Sequence, residues 1–209
     1  MAELDVPRRT RDPGGTRGRI LEAAFAEVYR HGFQAASLDA ILARAGVTKG
    51  ALYHHFPSKA ALGYAVVGEV ITRFLVQRWT GRLGDDPPDT VAALREVLQT
   101  RTADLRELEG ENGCPLNNIA QEMSPLDEGF QRRIAAAYHQ WIGIFAGALE
   151  AGQRRGAIRA DVRPREAATF IVSAIEGSYS LAKGQGSLEP LRTNLAALQA
   201  WVGTLGTGA

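Results

Sequence analysis

The sequence has little of what would point to an enzyme, a disulfide-stabilised protein or a strongly charged surface. Its 209 residues include a single cysteine, which excludes an internal disulfide. Its 24 basic and 23 acidic residues leave a net charge of +1, which by itself indicates no polyanionic partner. It contains no phosphate-binding glycine loop, nucleophile elbow or HExxH metal helix. We therefore predict no enzymatic activity, no cofactor and no metal.

Long apolar runs are also scarce. None approaches the roughly 18 residues that a membrane span needs, and the first residues lack the hydrophobic segment of a signal peptide. The hydrophobic content of 45% still suffices for a core. These features predict a cytoplasmic protein that does not enter a membrane. Residues 1–15 mix proline, glycine and charge and predict a disordered arm, whose Arg8, Arg9 and Arg11 are either solvated or add DNA contacts.

The most informative segment that is present begins at Ser37. This residue is a good N-cap, because its hydroxyl can accept a hydrogen bond from an amide in the first helical turn. Apolar residues then recur at helical spacing, and Gly46 follows them where a left-handed C-cap is wanted. A second short helix restarts at Lys49. The pattern predicts a helix-turn-helix whose recognition helix spans 49–55.

The second of these helices has two distinct faces. Leu52 and Phe56 lie one turn apart on the side predicted to be buried. The other face is free of acidic residues, although a face that serves only solubility would more often carry glutamate. Its side chains are small, basic or hydrogen-bonding: Thr48, Lys49, Gly50, Tyr53 and His54.

The flanking residues support a DNA-binding head. An amphipathic helix is predicted over 17–31, and Pro57 separates the recognition helix from a long helix that Ser58 caps. Lys59 lies at the N-terminus of that helix, where its ammonium and the helix dipole could bind one phosphate. Between residues 8 and 59 there are nine basic and four acidic residues, so the positive charge is concentrated at this end.

The run GVTKGALYHHFPSKAAL (46–62) resembles the signature of TetR-type (TetR/AcrR) transcriptional regulators, and the match extends over roughly residues 17–65. The resemblance implies an all-α fold, in which a three-helix head (16–60) is attached to a larger helical body for effector binding and dimerisation (61–209). It also implies which residues contact DNA: Ser37, Thr48, Lys49, Gly50, Ala51, Tyr53, His54 and Lys59.

Beyond the head the chain is predicted to be helical. We expect one long helix from Ser58 to about 83, and others over about 90–108, 116–123, 125–155, 164–183 and 188–204. The last two carry apolar stripes that either fill the core or form a four-helix bundle with a second subunit, as the resemblance implies. The predicted dimer residues are Phe170, Ala174, Gly177, Leu191, Leu195, Leu198 and Trp201.

A further set of residues in the body either fills the core or lines a cavity for an apolar or aromatic effector. Glu176 is the most informative, because an unpaired carboxylate in the apolar face of a helix is costly. It pairs with a basic residue, reaches solvent at the interface or anchors a ligand. The whole set is Phe74, Trp79, Arg101, Cys114, Met123, Trp141, Phe145, Glu176 and Tyr179.

These observations give one hypothesis and one alternative. The hypothesis is a ligand-responsive repressor that binds a pseudo-palindromic, double-stranded operator as a homodimer and is released by a small apolar or aromatic effector. The alternative is a small-molecule or thiol-based redox or electrophile sensor with a vestigial DNA head. Cys114 would be the sensor thiol, unless it is a structural residue at a helix start.

Overall fold

The structure is a computed structural model that describes residues 15–85, 87–103 and 112–208, without the side chains of residues 82, 85 and 101–103. Apart from one isolated β-bridge between Ile158 and Gly206, these residues form helices and turns, as an all-α fold requires. The predicted arm with Arg8, Arg9 and Arg11, and the side chain of Arg101, lie outside the described part.

Contacts divide the chain into two compact units. The first contains the described residues up to 74 together with 115–137, and the second contains those of 75–114 and 138–208. The boundaries predicted from the sequence, at residues 15 and 60, concern function and remain a prediction.

The first unit begins with three helices: α1 (Thr16–His31), α2 (Leu38–Ala45) and α3 (Lys49–His55). Helix α1 buries the apolar face that its periodicity predicts, including Ile20 and Phe25. Helix α4 (Lys59–Ala65) follows, and Ser58 caps it by accepting a hydrogen bond from the backbone N–H of Ala61 at 3.0 Å.

The long helix expected from Ser58 is not uniform. A π-helical segment (Val66–Ile71) separates α4 from α5 (Thr72–Thr80), and a 3₁₀ helix (Gly81–Asp85) follows. The extra residue per turn widens the helix, and the hydroxyl of Thr72, the first residue of α5, donates to the carbonyl of Val67 at 2.9 Å. The predicted long helix is present as a continuous helical stretch over Lys59–Thr80, and the π-helical segment within it was not predicted.

This same stretch corrects the expectation that no segment is apolar enough to span a membrane. By length and composition alone, the helical segment Lys59–Thr80 is apolar enough to cross a membrane, whereas we expected no such segment. Its apolar side chains, including Leu62, Val66 and Ile71, are buried within the protein. Core helices pass the same test, so the finding is weak evidence for a membrane span.

The remaining helices are α6 (Thr90–Ala103), α7 (Pro115–Met123), α8 (Glu128–Arg154), α9 (Pro164–Gln185) and α10 (Glu189–Gly203). Helix α8 begins three residues later than predicted, because Asp127 caps it by accepting from the backbone N–H of Phe130 at 3.0 Å. In the second unit, α10 packs against both α6 and α9.

The packing of α10 shows which residues of the predicted apolar stripes belong to the core. Leu191, Leu195 and Leu198 are buried within the protomer, so these three are core residues and their assignment to a dimer interface was wrong. Phe170 and Gly177 on α9 are exposed, whereas Ala174 and Trp201 are half-buried. The periodicity is the same for core and surface stripes, which is why the sequence did not separate them.

Candidate nucleic-acid interface and effector site

Two caps and one glycine fix the helix-turn-helix. The Ser37 hydroxyl accepts from the backbone N–H of Ala40 at 3.3 Å, and the Thr48 hydroxyl accepts from that of Ala51 at 3.2 Å. Between the two helices Gly46 has φ of 64°, in the left-handed region that glycine adopts without strain. These local signals position α2 and α3 as the sequence predicts.

The two faces of α3 differ as expected. Leu52 and Phe56 are buried, while the ring of Tyr53 is 40% exposed. Of the other predicted contact residues, Ser37, Thr48, Lys49, Gly50 and His54 are exposed, and Ala51 is half-buried. The structure therefore brings most of these residues to one accessible helix face.

Lys59 is not a free ammonium. Its Nζ donates a hydrogen bond to the carbonyl of Gln34 at 2.9 Å and lies 5.3 Å from the ring centroid of Phe33. The contact connects the start of α4 to the turn between α1 and α2. An ammonium has three donors, so a phosphate can still be bound by the remaining two.

The same turn is bound from the other side by Glu122, a residue that sequence reasoning missed. Its carboxylate accepts from the backbone N–H of Phe33 at 2.8 Å and from that of Gln34 at 2.7 Å. Gly32 allows this approach, because it has φ of 81° and a Cβ there would lie 3.0 Å from a Glu122 oxygen. No local pattern relates residues so distant in sequence.

Sequence reasoning also missed the role of Arg17. Its guanidinium forms two hydrogen bonds to Glu69, at 2.7 and 2.6 Å, and lies 5.1 Å from the ring centroid of Phe56. These hydrogen bonds lower the pKa of Glu69 below its usual value. Arg17 therefore connects α1 with the end of α3 and with the π-helical segment.

In the second unit, aromatic residues from two helices form a buried cluster. The ring centroid of Trp79 lies 5.5 Å from that of Trp141 and 6.0 Å from that of Phe145, and all three side chains are buried. Tyr138, which we did not predict, stacks on Trp141 at 6.4 Å.

Glu176 lies in the same unit and is only 9% exposed. Among the described residues, neither of its carboxylate oxygens has an N–H or O–H donor, and Trp141 Nε1 has no acceptor. Burial raises the pKa of Glu176 to about 7, and the nearby Cys114 thiol partly opposes this shift. Burial, and secondarily the charge of Glu176, raises the pKa of Tyr138.

The other predicted pocket residues do not all join this cluster. Phe74 and Met123 belong to the first unit, where the Phe74 ring lies 6.1 Å from that of Phe25. The Tyr179 hydroxyl, one turn after Glu176, accepts a hydrogen bond from Arg78 at 3.2 Å. The predicted set of nine is therefore divided between the units, because helical periodicity says nothing about which neighbour a residue meets.

Comparisons with known proteins identify the family. Residues 20–66 match the family model described as bacterial regulatory proteins, tetR family. Residues 90–197 match the C-terminal domain of LmrA/YxaF-like transcriptional regulators, which is just over half of the chain. The chain belongs to the TetR family of transcriptional regulators.

Individual relatives of this chain are also transcriptional regulators. The chain is 29% identical over 177 residues to the transcriptional repressor DhaR of Mycobacterium sp. strain GP1, with 84% of this chain and 86% of DhaR covered. It is 26% identical over 181 residues to the regulator LmrA of Bacillus subtilis, with 85% and 92% covered.

A solved structure supports the fold. A regulatory protein TetR from Rhodobacter sphaeroides matches with a TM-score of 0.76 and 23% identity, over 88% of this chain and 97% of that one. Membership of the TetR family, shown by the two family models, makes this protein a DNA-binding transcriptional regulator rather than an enzyme.

Proposed function

We propose that this TetR-family protein is a cytoplasmic repressor that binds a pseudo-palindromic operator as a homodimer and is released by a small aromatic effector. The observation that carries the proposal is the exposed, acid-free face of α3 on a fully capped helix-turn-helix. Lys49, Tyr53 and His54 are accessible there, and the local excess of positive charge attracts DNA.

Gly50 supports this role. A Cβ at this position would have only the Thr48 hydroxyl within 4 Å, at 3.9 Å, so the packing of the protein does not require a glycine. Glycine also weakens a helix by about 1 kcal/mol relative to alanine. Close approach of the backbone to DNA gives a reason for glycine that the fold does not.

The homodimer is supported by an apolar surface on α9. Phe170 is 50% exposed and Leu181 is 49% exposed, and the ring of Phe170 contacts that of Trp201 at 4.7 Å between centroids. Gly177 is exposed between them and would allow a second subunit to approach closely. A dimer supplies two recognition helices for half-sites about 34 Å apart.

Release by an effector requires that the body influence the head. Cys114 lies beside Glu176, and Pro115, the next residue, begins α7, which carries Glu122. A ligand that moves Cys114 would therefore act on the turn that Glu122 and Lys59 hold. A coupling of about 1–3 kcal/mol would lower operator affinity roughly 5- to 150-fold.

The alternative, a thiol-based sensor, is less well supported. Cys114 is only 4% exposed, whereas a sensor thiol needs access to its oxidant or electrophile.

The proposal is tested by a gel shift with DNA from upstream of the protein's own gene and an excess of non-specific competitor. We expect one retarded species with the stoichiometry of a dimer. If only salt-sensitive binding without sequence preference is found for all upstream fragments, the proposal fails and the sensor alternative gains support.

A further inference from the structure

Glu176 combines two properties that are rarely found together. It is buried in the middle of α9, and among the described residues its carboxylate has no N–H or O–H donor, only the weakly donating thiol of Cys114 nearby. Trp141 Nε1, a buried donor on α8, likewise has no acceptor among the described residues. Buried polar groups in proteins are nearly always hydrogen-bonded, so each such exception needs an explanation.

The protein's own groups do not supply that explanation within the described residues. Arg78 donates to the hydroxyl of Tyr179, one turn after Glu176, and makes no hydrogen bond to the Glu176 carboxylate. The thiol of Cys114 and the phenol of Tyr138 lie close to the carboxylate. Neither carries a positive charge that could compensate a buried anion.

We infer that Glu176 and the Trp141 indole form the polar end of the effector site, and that the effector is an aromatic molecule with a positively charged nitrogen. This inference rests on the proposed effector-binding function. The nitrogen would donate a hydrogen bond to Glu176, and Trp141 Nε1 would donate to an acceptor on the ligand.

The neighbouring rings suit the remainder of such a molecule. Trp79, Trp141 and Phe145 provide a buried aromatic surface, and Tyr138 stacks at its edge. Aromatic faces attract cations as well as apolar rings, and this attraction grows when water is excluded. A ligand with a negative charge would instead be repelled by Glu176.

Binding would also release a proton. Burial raises the pKa of Glu176 to about 7, so the carboxyl is largely protonated at lower pH. An ammonium group stabilises the ionised form, and the proton leaves the carboxyl for solvent when the ammonium binds. The affinity for an amine that stays protonated over this range should therefore rise between about pH 6 and pH 8.

Three probes that share one ring system test this: 2-naphthylmethylamine, 2-naphthylmethanol and 2-naphthoate. Calorimetry on the full-length protein at about pH 8 should show the order amine, alcohol, naphthoate from tightest to weakest. Glu176→Gln should weaken amine binding by about tenfold or more, as expected for a charge-assisted hydrogen bond, and change alcohol binding by less than about threefold.

Glu166→Gln is the matched control, because Glu166 lies on the same helix but is exposed. It should leave all three affinities unchanged. Without a probe, Glu176→Gln should raise the melting temperature at about pH 8, because it removes an unpaired buried charge. A lower melting temperature would show that the chain itself pairs the carboxylate and would overturn the inference.

The possible failures are distinguishable. Failure to bind the amine at about 1 mM, equal affinity for the three probes, or an amine affinity that Glu176→Gln does not change contradicts the inference, while operator binding stays intact. Absence of sequence-specific operator binding contradicts the proposed function instead.

Discussion

The carboxylate of Glu122 accepts a hydrogen bond from the backbone N–H of Phe33 at 2.8 Å, although the two residues are 89 positions apart. It accepts a second from Gln34, whose carbonyl in turn accepts from Lys59. Side chains from α7 and α4 thus hold the turn between α1 and α2 by hydrogen bonds. The position of this turn determines where α2 begins.

Glu122→Gln should destabilise the first unit. A neutral amide has one acceptor oxygen, so one of the two backbone hydrogen bonds is lost and the other weakens, which should cost about 1–2 kcal/mol in the free energy of unfolding. Urea unfolding measures this. Glu128→Gln is the control, because its ion pair with Arg132 is largely exposed, and it should stay within about 0.5 kcal/mol. Equal effects of the two changes would contradict a structural role for Glu122.

Gly63→Ala should be strongly destabilising. A Cβ at this buried position would collide with the rings of Phe33 and Phe130, which pack edge to face with centroids 4.6 Å apart. Overpacking of this kind costs about 1–3 kcal/mol or more. Gly68→Ala, in the following π-helical segment, meets no atom within 4 Å and should be neutral or stabilising. Thermal denaturation of both variants checks the contrast.

Charge placed on α9 or on α10 should have different consequences. Phe170→Glu introduces the charge on a half-exposed surface, so we expect a folded monomer. Leu195→Glu buries the charge in the protomer and should unfold the second unit. Light scattering and circular dichroism separate the two outcomes. A wild-type protein that is monomeric at micromolar concentration would contradict the paired half-sites.

Stability should depend on pH through Glu176. Its pKa is raised from the usual 4.5 to about 7 by burial, so between these values the folded protein binds a proton that the unfolded chain has released. The free energy of unfolding therefore falls as pH rises through this window. The neighbouring groups are Cys114 and Tyr138, and burial raises the pKa of Tyr138, so its phenol stays uncharged in this window.

The measurement is the melting temperature of wild type and Glu176→Gln from about pH 5 to pH 8. We expect the melting temperature of the variant to exceed that of wild type by a difference that grows with pH and levels off above about pH 7. An advantage that does not change with pH would show that Glu176 is paired or solvated in the folded protein.

The elements that could be predicted from the sequence are those with local signals. The caps at Ser37, Thr48 and Ser58 and the left-handed Gly46 fix α2, α3 and the start of α4 almost to the residue. The position of Glu176 in the apolar face of its helix was also apparent from the sequence, which left open whether the side chain reaches solvent, and it is buried. In each case the determining atoms lie within a few residues of one another.

What could not be predicted depends on contacts between distant residues. The hydrogen bonds of Glu122 to the turn, and the pairing of Arg17 with Glu69, leave no periodic trace in the sequence. Apolar periodicity likewise did not distinguish Leu195 from Phe170, although Leu195 is a core residue and Phe170 lies on the surface. The π-helical segment gave no sign because it widens a helix without interrupting its apolar face.

The central claim is that α3 reads an operator, and fluorescence anisotropy with a labelled operator duplex tests it most directly. Lys49→Ala with Tyr53→Phe should lower specific affinity at least tenfold, while Lys59→Ala should weaken binding to all sequences and reduce the log–log salt slope by about one unit. Lys183→Ala, an exposed charge on α9, should change neither quantity. If the double variant binds the operator as tightly as wild type, α3 is not the recognition helix and the account is contradicted.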